Sequence, residues 1–598
     1  MKLPLIRPTG SVTTLIVLLI ITLSFFSCQK EFSADNGIIT GTPPDLSTKI
    51  ASSVSGFVTD ENDAPVTGST VQFGTATSST DKYGFFEFKN VQVVQNAATV
   101  TVSRPGYFKG IKTYLAKAGK SAFFRIKLIP KKIAGTINGS GGGSVTTPAG
   151  LSIALPANAV FNTTTQTPYT GMVNVAAYYI DPAAADINMI MPGDMRGINT
   201  DGILKLLQTY GMAAVELTGA SGELLQIAPG KKATLTMPIS NSSLPNAPSS
   251  IALWYFDETI GLWKQEGNAI KTGNTYVGVV SHFSFWDPGL PGNYVQFDCT
   301  VLDVNNNPVQ NTLVEVGIAS NPYPANYRFE NTDNNGFVSG FVPDNQQLFF
   351  KIYEPNCQLL IYTQFFTTAG TSVSLGNVNI VDDIAHVSGT MTTCNNSPVT
   401  NGYLMMRKGG VYYRYNLTNT GSFSFDIPIC ANSNTTFIGE DKTSMQQSNI
   451  IPHNLTVGNN VIGNIFTCGT SNQEFFNYTI NGTNYSFTPP VAYFGQQDGS
   501  NANNIPTEFI YATDYITTGE LVFTQQNIAP GSTQTLENFY CSQAGTDSSL
   551  ANSSVPVYIT EYGAVGQFIA GNFSGILTGT PSNLTYAITC NFRVRRYY

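Results

Sequence analysis

The chain has 598 residues, of which only 11% are charged and 12% aromatic, and its formal net charge is −8. An acidic, charge-poor chain offers no electrostatic footprint for nucleic acid, and the one basic cluster, Arg593-Val594-Arg595-Arg596, is too small to change that. A hydrophobic share of 42% can build cores and excludes a disordered chain, while 55 Gly, 32 Pro and abundant Asn predict many short strands joined by turns.

At the N-terminus, Lys2 and Arg7 precede an apolar run, Leu15 to Phe26, that ends in Ser27 before Cys28. A positive flank, an apolar core and a small residue make a secretory signal. The run falls short of the ~18 residues a spanning helix needs. Phe25-Phe26-Ser27-Cys28 resembles the lipobox of bacterial lipoproteins. The resemblance implies cleavage before Cys28, a diacylglycerol thioether on Cys28, and acylation of the new N-terminus; two or more acyl chains anchor stably where one does not. Gln29-Lys30-Glu31 resembles the short charged tag of Bacteroidetes surface lipoproteins. The expectation is an outer-membrane lipoprotein at the cell surface whose partner is the membrane, through the N-terminal lipid; the periplasmic face is the alternative. Residues 1–27 are then signal peptide, and 28–49, polar and Gly/Pro-rich, a flexible tether.

An internal repeat follows. Val54-Ser55-Gly56 stands eight residues before Pro65-Val66-Thr67, and Val387-Ser388-Gly389 stands eight before Pro398-Val399-Thr400. Phe297 keeps the same register ahead of Pro308-Val309. Each reads as a strand, a polar turn and a second strand opening just after Pro, which cannot sit inside a central ladder. Thr80-Asp81-Lys82-Tyr83-Gly84-Phe85 matches Thr332-Asp333-Asn334-Asn335-Gly336-Phe337. The third copy, Thr418-Asn419-Thr420-Gly421-Ser422-Phe423, reads as one residue shorter before its Gly. The Asp or Asn side chain caps the turn and Gly takes positive φ. These features resemble the carboxypeptidase-regulatory-like, transthyretin-type β-sandwich, over 50–130 in the first copy, which includes Arg104-Pro105-Gly106-Tyr107. The resemblance implies a small seven-stranded sandwich and no peptidase activity.

The segment 131–292 is of another kind. Asn138-Gly139-Ser140-Gly141-Gly142-Gly143 reads as a flexible hinge. Leu155-Pro156-Ala157-Asn158-Ala159-Val160, Trp254-Tyr255-Phe256-Asp257-Glu258, Gly261-Leu262-Trp263 and Ser281-His282-Phe283-Ser284-Phe285-Trp286 follow. Their order resembles the ZU-type β-sandwich of netrin receptors and ankyrins, in the version found in cartilage intermediate layer protein. Trp254, Trp263 and Trp286 are expected core anchors. Leu204 to Tyr210 is the one stretch expected to form a turn or two of helix. Within 471–598, Ile480-Asn481-Gly482-Thr483 predicts a hairpin, and 566–575 and 588–594 predict closing strands.

The predicted architecture is all-β: tandem β-sandwich domains behind a lipoprotein signal peptide, at 50–130, 131–292, 293–382, 383–470 and 471–598. With Cys28 lipidated, seven cysteines remain: Cys299, Cys357, Cys394, Cys430, Cys468, Cys541 and Cys590. An exported chain permits disulfides, and an odd count leaves one thiol over. Same-domain proximity suggests Cys299–Cys357 and Cys541–Cys590, with Cys394, Cys430 and Cys468 competing for one bridge. Spacing does not fix connectivity.

Catalytic signatures are missing from the sequence. His282, His386 and His453 are the three histidines, and none lies in the H-E-x-x-H spacing of a zinc peptidase. No G-x-S-x-G elbow or Walker loop occurs. Asp303-Val304-Asn305-Asn306-Asn307 imitates a calcium loop but has Pro308 at the sixth place and Val314 at the twelfth, so a solvated Asx turn is expected, as for Asp60-Glu61-Asn62-Asp63. No cofactor and no metal site are expected. Within the ZU-type resemblance, His282-Phe283-Ser284 matches the sequence in which some members cut themselves between Phe and Ser: Ser attacks the preceding carbonyl while His assists the proton. The same residues close non-cleaving relatives as a plain strand, and that reading is favoured. Tyr412-Tyr413-Arg414-Tyr415 has the residue types of a stacking platform for sugars or peptides, although alternation turns half of a strand inward. The function expected is a non-enzymatic surface lipoprotein that binds, adheres or spaces. An accessory role in glycan or nutrient capture and self-cleavage at Phe283–Ser284 stand as alternatives.

Overall fold

Turn residues punctuate the chain at short intervals, and in the computed structural model the stretches between them are strands. The structure describes residues 43–596 except 321–327, 355–358, 381–382, 394–395, 431, 444–445, 468–473, 489–491, 515–516, 543–545, 564 and 566. Among the described residues the one α-helix is a single turn, α1 (Ile187–Ile190), so the fold class is all-β.

In the first unit, β1 (Lys49–Thr59) pairs antiparallel with β4 (Phe85–Val94) and parallel with β7 (Ser121–Lys127). A second sheet has the order β3 (Ala76–Ser79), β2 (Thr70–Phe73), β5 (Ala98–Ser103), β6 (Gly110–Tyr114). Val54, Phe73, Phe86, Val100 and Ile126 fill the core between the two.

Residues 133–292 form a 14-stranded sheet running from β8 (Ile133–Asn138) to β21 (Phe285–Gly292). Trp254, Trp263 and Trp286 are each fully buried, as expected of anchors. Two sequence expectations fail here. Leu204–Thr209 is a strand, β14, paired with β21 and with Arg196–Ile198 (β13), because tertiary pairing overrides a weak local helix preference. Asn138–Gly143 is a fixed turn rather than a hinge. The Asn138 side-chain oxygen accepts from Ser140 Oγ at 2.7 Å and from the Gly141 amide at 2.8 Å, and the turn leads directly into β9 (Gly143–Thr146).

The repeat is visible as topology. In the 294–379 unit the three-stranded sheet has the order β25 (Phe337–Pro343), β22 (Tyr294–Leu302), β28 (Val373–Asn379), with β22 and β28 parallel. Its partner has the order β24 (Arg328–Asn331), β23 (Leu313–Ile318), β26 (Gln347–Glu354), β27 (Leu359–Thr367). In the 384–466 unit, β29 (Ile384–Thr392) lies between β32 (Ser422–Pro428) and β36 (Gly458–Phe466), again parallel to the last strand. The facing sheet is β31 (Val411–Asn416), β30 (Gly402–Lys408) and β33 (Asn432–Asp441), extended by Gln446–Gln447 (β34) and Ile451–Thr456 (β35). Residues 475–595 form a ten-stranded sheet from β37 (Phe475–Ile480) to β46 (Thr585–Arg595). Asn481 and Gly482 take positive φ, 49° and 86°, at the expected hairpin turn.

One turn recurs in all three repeats. Asp81 Oδ1 accepts from the amides of Tyr83 and Phe85, and Asp333 Oδ1 accepts from those of Asn335 and Phe337. In the third copy Thr418 Oγ1 accepts from Thr420 and Ser422. Thr418 therefore takes the place of Asp81, and the third copy is not shorter: the sequence match aligned the wrong Thr. The glycines that follow, Gly84, Gly336 and Gly421, have φ of +73°, +70° and +74°, and a Cβ on each would lie 2.2, 2.3 and 2.6 Å from the carbonyl oxygens of Val58, Val301 and Met391.

The units follow one another in sequence but not along a line. The first contacts three others. Thr113 Oγ1 donates to Gly261 O at 2.7 Å. Lys112 Nζ donates to the carbonyls of Asn188 and Met191, both at 2.7 Å. Lys117 pairs with Asp298 at 2.7 Å, and Ser121 Oγ donates to Asp333 at 2.8 Å. Lys82 and Tyr83 reach Glu440.

Replacing Gly84, Gly336 or Gly421 by Ala is expected to cost more than the about 1–3 kcal/mol of backbone strain alone, because a carbonyl also has to move. Gly106→Ala, with φ +82° but open space around the new Cβ, should cost the strain only. Thermal midpoints of the four variants check the ranking.

Candidate functional site

The His282-Phe283-Ser284 segment is a bend ahead of β21 and not the strand expected. A side chain replaces the ladder there: Phe283 N donates to Gln226 Oε1 at 2.7 Å, and Gln226 Nε2 donates to Phe283 O at 3.0 Å. The Phe283 ring is buried in the core of the 133–292 sheet. Ser284 Oγ donates to the Phe285 carbonyl at 3.1 Å, so its proton is directed to that oxygen and not to the His282 ring. His282 packs edge-on against Tyr255, with ring centres 4.5 Å apart, and its Nε2 lies 3.8 Å from Glu266. Burial lowers the His282 pKa, so its ring is neutral at pH 7. The Gln226 amide on the Phe283 carbonyl resembles one half of an oxyanion site, but the imidazole is engaged with Glu266 and the aromatic rings.

The aromatic strip on β31 faces another unit of the same chain. Tyr413 and Tyr415 lie in the core of the 384–466 unit. Tyr412 packs against Tyr83 with its ring tilted and the centres 5.1 Å apart, beside a cluster formed by Phe57, Tyr83, Phe85, Phe123, Tyr403 and Met405. The Arg414 guanidinium sits 4.2 Å from the Phe85 ring centre and 4.0 Å from that of Tyr403, one ring from each unit. Arg125 lies over Phe57, Phe123 and Tyr413 and donates to Tyr412 O at 3.0 Å. Beneath them Lys82, largely buried, pairs with Glu440 at 2.5 Å, and Tyr83 OH donates to the same carboxylate at 2.7 Å. Burial, with the charge of Arg595, lowers the Lys82 ammonium to about 8. The residue types that suggested a sugar platform thus form a seam within the molecule.

A third cluster was not legible from spacing. His386 on β29 and Asp426 on β32 are directly opposite in the antiparallel register, and His386 Nδ1 hydrogen-bonds Asp426 Oδ1. Asp303, just beyond β22 of the neighbouring unit, places Oδ2 3.6 Å from the same Nδ1. Both aspartates are buried, and His386 is partly exposed. Asp303 Oδ1 accepts from the backbone amides of Asn305 and Asn307 at 2.8 and 2.6 Å, and Oδ2 accepts from their side-chain amides at 3.3 and 3.1 Å. Burial raises its pKa, but these bonds outweigh burial and leave it below the ordinary carboxylate range. For Asp426, burial and the adjacent Asp303 charge outweigh His386, and its pKa is raised. The Asx turn expected at Asp303 is present. The sequence reading of no metal site did not foresee that two remote residues would join it.

No family model matches the chain. It is similar to cartilage intermediate layer protein 2 of Homo sapiens, 30% identical over 124 residues, which are 21% of this chain and 10% of that protein. The Mus musculus protein is 28% identical over 162 residues, 26% of this chain and 14% of its own length. Cartilage intermediate layer protein 1 of Sus scrofa is 29% identical over 102 residues, 17% and 16% of the two. The chain spans no more than 16% of these relatives' lengths. This carries the cartilage-intermediate-layer part of the resemblance and not the carboxypeptidase-regulatory or Bacteroidetes lipoprotein parts. Among solved structures, a shaft pilin of Lactobacillus rhamnosus GG aligns at 8% identity over 30% of this chain and 99% of its own, with a TM-score of 0.17. The major pilin subunit of Bacillus cereus aligns at 6% over 70% and 100%, with a TM-score of 0.12. Scores that low carry no functional argument.

The cysteines require a correction. Cys299 and Cys590 are buried free thiols, and Cys541 keeps its thiol, 3.6 Å from the Asp547 carbonyl. Neither Cys299–Cys357 nor Cys541–Cys590 is bridged. Cys541 on Thr533–Cys541 (β42) and Cys590 on β46 have Ser549–Ala551 (β43) and Phe568–Thr580 (β45) between them in the strand order, and both side chains lie in the core of that sheet without bridging. Burial raises the pKa of Cys299 and Cys590 and keeps both protonated. Cys430 is disulfide-bonded, to a partner outside the described residues. Cys28, Gln29-Lys30-Glu31, Cys357, Cys394 and Cys468 also lie outside them.

Glu440→Ala should lower the thermal midpoint, at a cost of roughly 3 kcal/mol, since Lys82 is left buried without its carboxylate. Glu440→Leu combined with Lys82→Met should recover most of that loss, and a melting series of the single and double variants reads the difference.

Proposed function

We propose that the protein is a lipid-tethered, non-catalytic β scaffold of the cell surface that binds or spaces other surface components. The observation that supports this reading is the hub. The first unit is held by three others through aromatic packing and polar contacts, which makes a rigid block from what could have been beads on a string. Such a block suits holding a surface at a fixed distance from a membrane and has no obvious opening and closing cycle. Its resemblance to part of the cartilage intermediate layer proteins is compatible with this role. The acyl anchor on Cys28 and the five units at 50–130, 131–292, 293–382, 383–470 and 471–598 belong to the same proposal.

Cys28→Ala should abolish incorporation of labelled palmitate and move the protein from the membrane fraction to the soluble one; retention in the membrane would overturn the tether. Protease shaving of intact cells should remove the C-terminal unit if the block faces outward. The intact mass of the purified chain is expected to show no product ending at Phe283 or beginning at Ser284, and Ser284→Ala should leave that mass pattern unchanged.

A further inference from the structure

We propose that Asp303, His386 and Asp426 bind a divalent cation of the zinc class, which clamps the 294–379 unit to the 384–466 unit. One ligand atom from each residue lies within 4.8 Å of the other two. A tetrahedral zinc ion with nitrogen and oxygen at ~2.0–2.2 Å spaces its ligand atoms roughly 3.4 Å apart, so small side-chain rotations close the site. Charge also favours an ion. Two buried carboxylates face each other, and among the described residues neither pairs with Lys or Arg; the His386 imidazole lies against both.

The surroundings are those of a prepared ligand set. The backbone and side-chain amides of Asn305 and Asn307 fix the Asp303 carboxylate, which is how outer hydrogen bonds orient metal ligands. Cross-strand register fixes His386 against Asp426, and a parallel bridge between Val309 and Asp426 holds the two units at that place. An imidazole with two carboxylates suits zinc, whereas calcium takes six to eight oxygens. The partly exposed side of His386 admits water to complete the shell.

The repeat supplies an internal comparison. With Val58, Val301 and Met391 superposed through their shared turn, the places of His386 and Asp426 are held by Ser53 and Lys89 in the first unit, and by Gln296 and Phe341 in the 294–379 unit. The fold therefore does not require a His–Asp pair there. The proposal adds a ligand to the scaffold reading and does not depend on where the protein resides.

The test uses the full mature chain, stripped with chelator and dialysed against zinc at micromolar free concentration. One zinc per chain is expected by elemental analysis, with a higher thermal midpoint than the stripped protein. His386→Gln should weaken zinc binding by about 100-fold or more, and His453→Gln should bind as the parent does. Asp426→Asn gives a second variant should His386→Gln fold poorly, as judged by circular dichroism. A parent chain that takes up no zinc, zinc binding that survives both substitutions, or displacement of zinc by millimolar calcium would each overturn the proposal.

Discussion

An apolar outer face on a small sandwich has to be covered, and the first unit has one. Phe57, Phe85 and Phe123 project from its β4–β1–β7 sheet on the side away from its own core. Tyr403, Met405 and Tyr412 complete that cluster from a segment 280 or more residues later in the chain. Burying large aromatics contributes about 1.5–3 kcal/mol each, more than a surface ion pair supplies, so this face sets how the chain folds back. The Lys82–Glu440 pair and the two sandwiched guanidiniums then fix orientation within a contact the rings make favourable.

The local grammar of this fold was written plainly in the sequence, and its long-range contacts were not. The Asp-x-x-Gly turn and the strand opening after Pro were legible because they rest on φ preferences and on hydrogen bonds within a few residues. Asn481-Gly482 and the three tryptophans were legible for the same kind of reason. Thr418 escaped because a hydroxyl one place earlier does the work of Asp81 and leaves a decoy Asn419 beside it. Asn138–Gly143 has the composition of a linker, and the Asn138 side chain, with backbone bonds from Gly139 to Gly171 and from Asn158 to Gly139, makes it a fixed corner.

Sites that depend on docking between units were beyond the reach of spacing. Tyr412 and Arg414 look like a surface platform until the first unit is laid over them. His386 has no motif around it, yet sheet register and the docking of a neighbouring unit give it two aspartates. The Cys541–Cys590 expectation failed through the converse error: membership of one domain suggested a bridge, and the strand order sets two strands between them. The His282-Phe283-Ser284 bend lies between these cases. Its sequence was noticed, but the Gln226 amide that shapes it comes from a distant strand.

The parallel pairing of first and last strands in the three repeated units has a mechanical consequence. The chain arrives at the start of β1, β22 or β29 and leaves at the end of β7, β28 or β36, so arrival and departure lie at opposite poles of each sandwich. Tension applied through the chain slides the two terminal strands past each other and loads their hydrogen bonds together, instead of peeling them one at a time. A unit wired in this way resists stretching when it is pulled by its two chain ends.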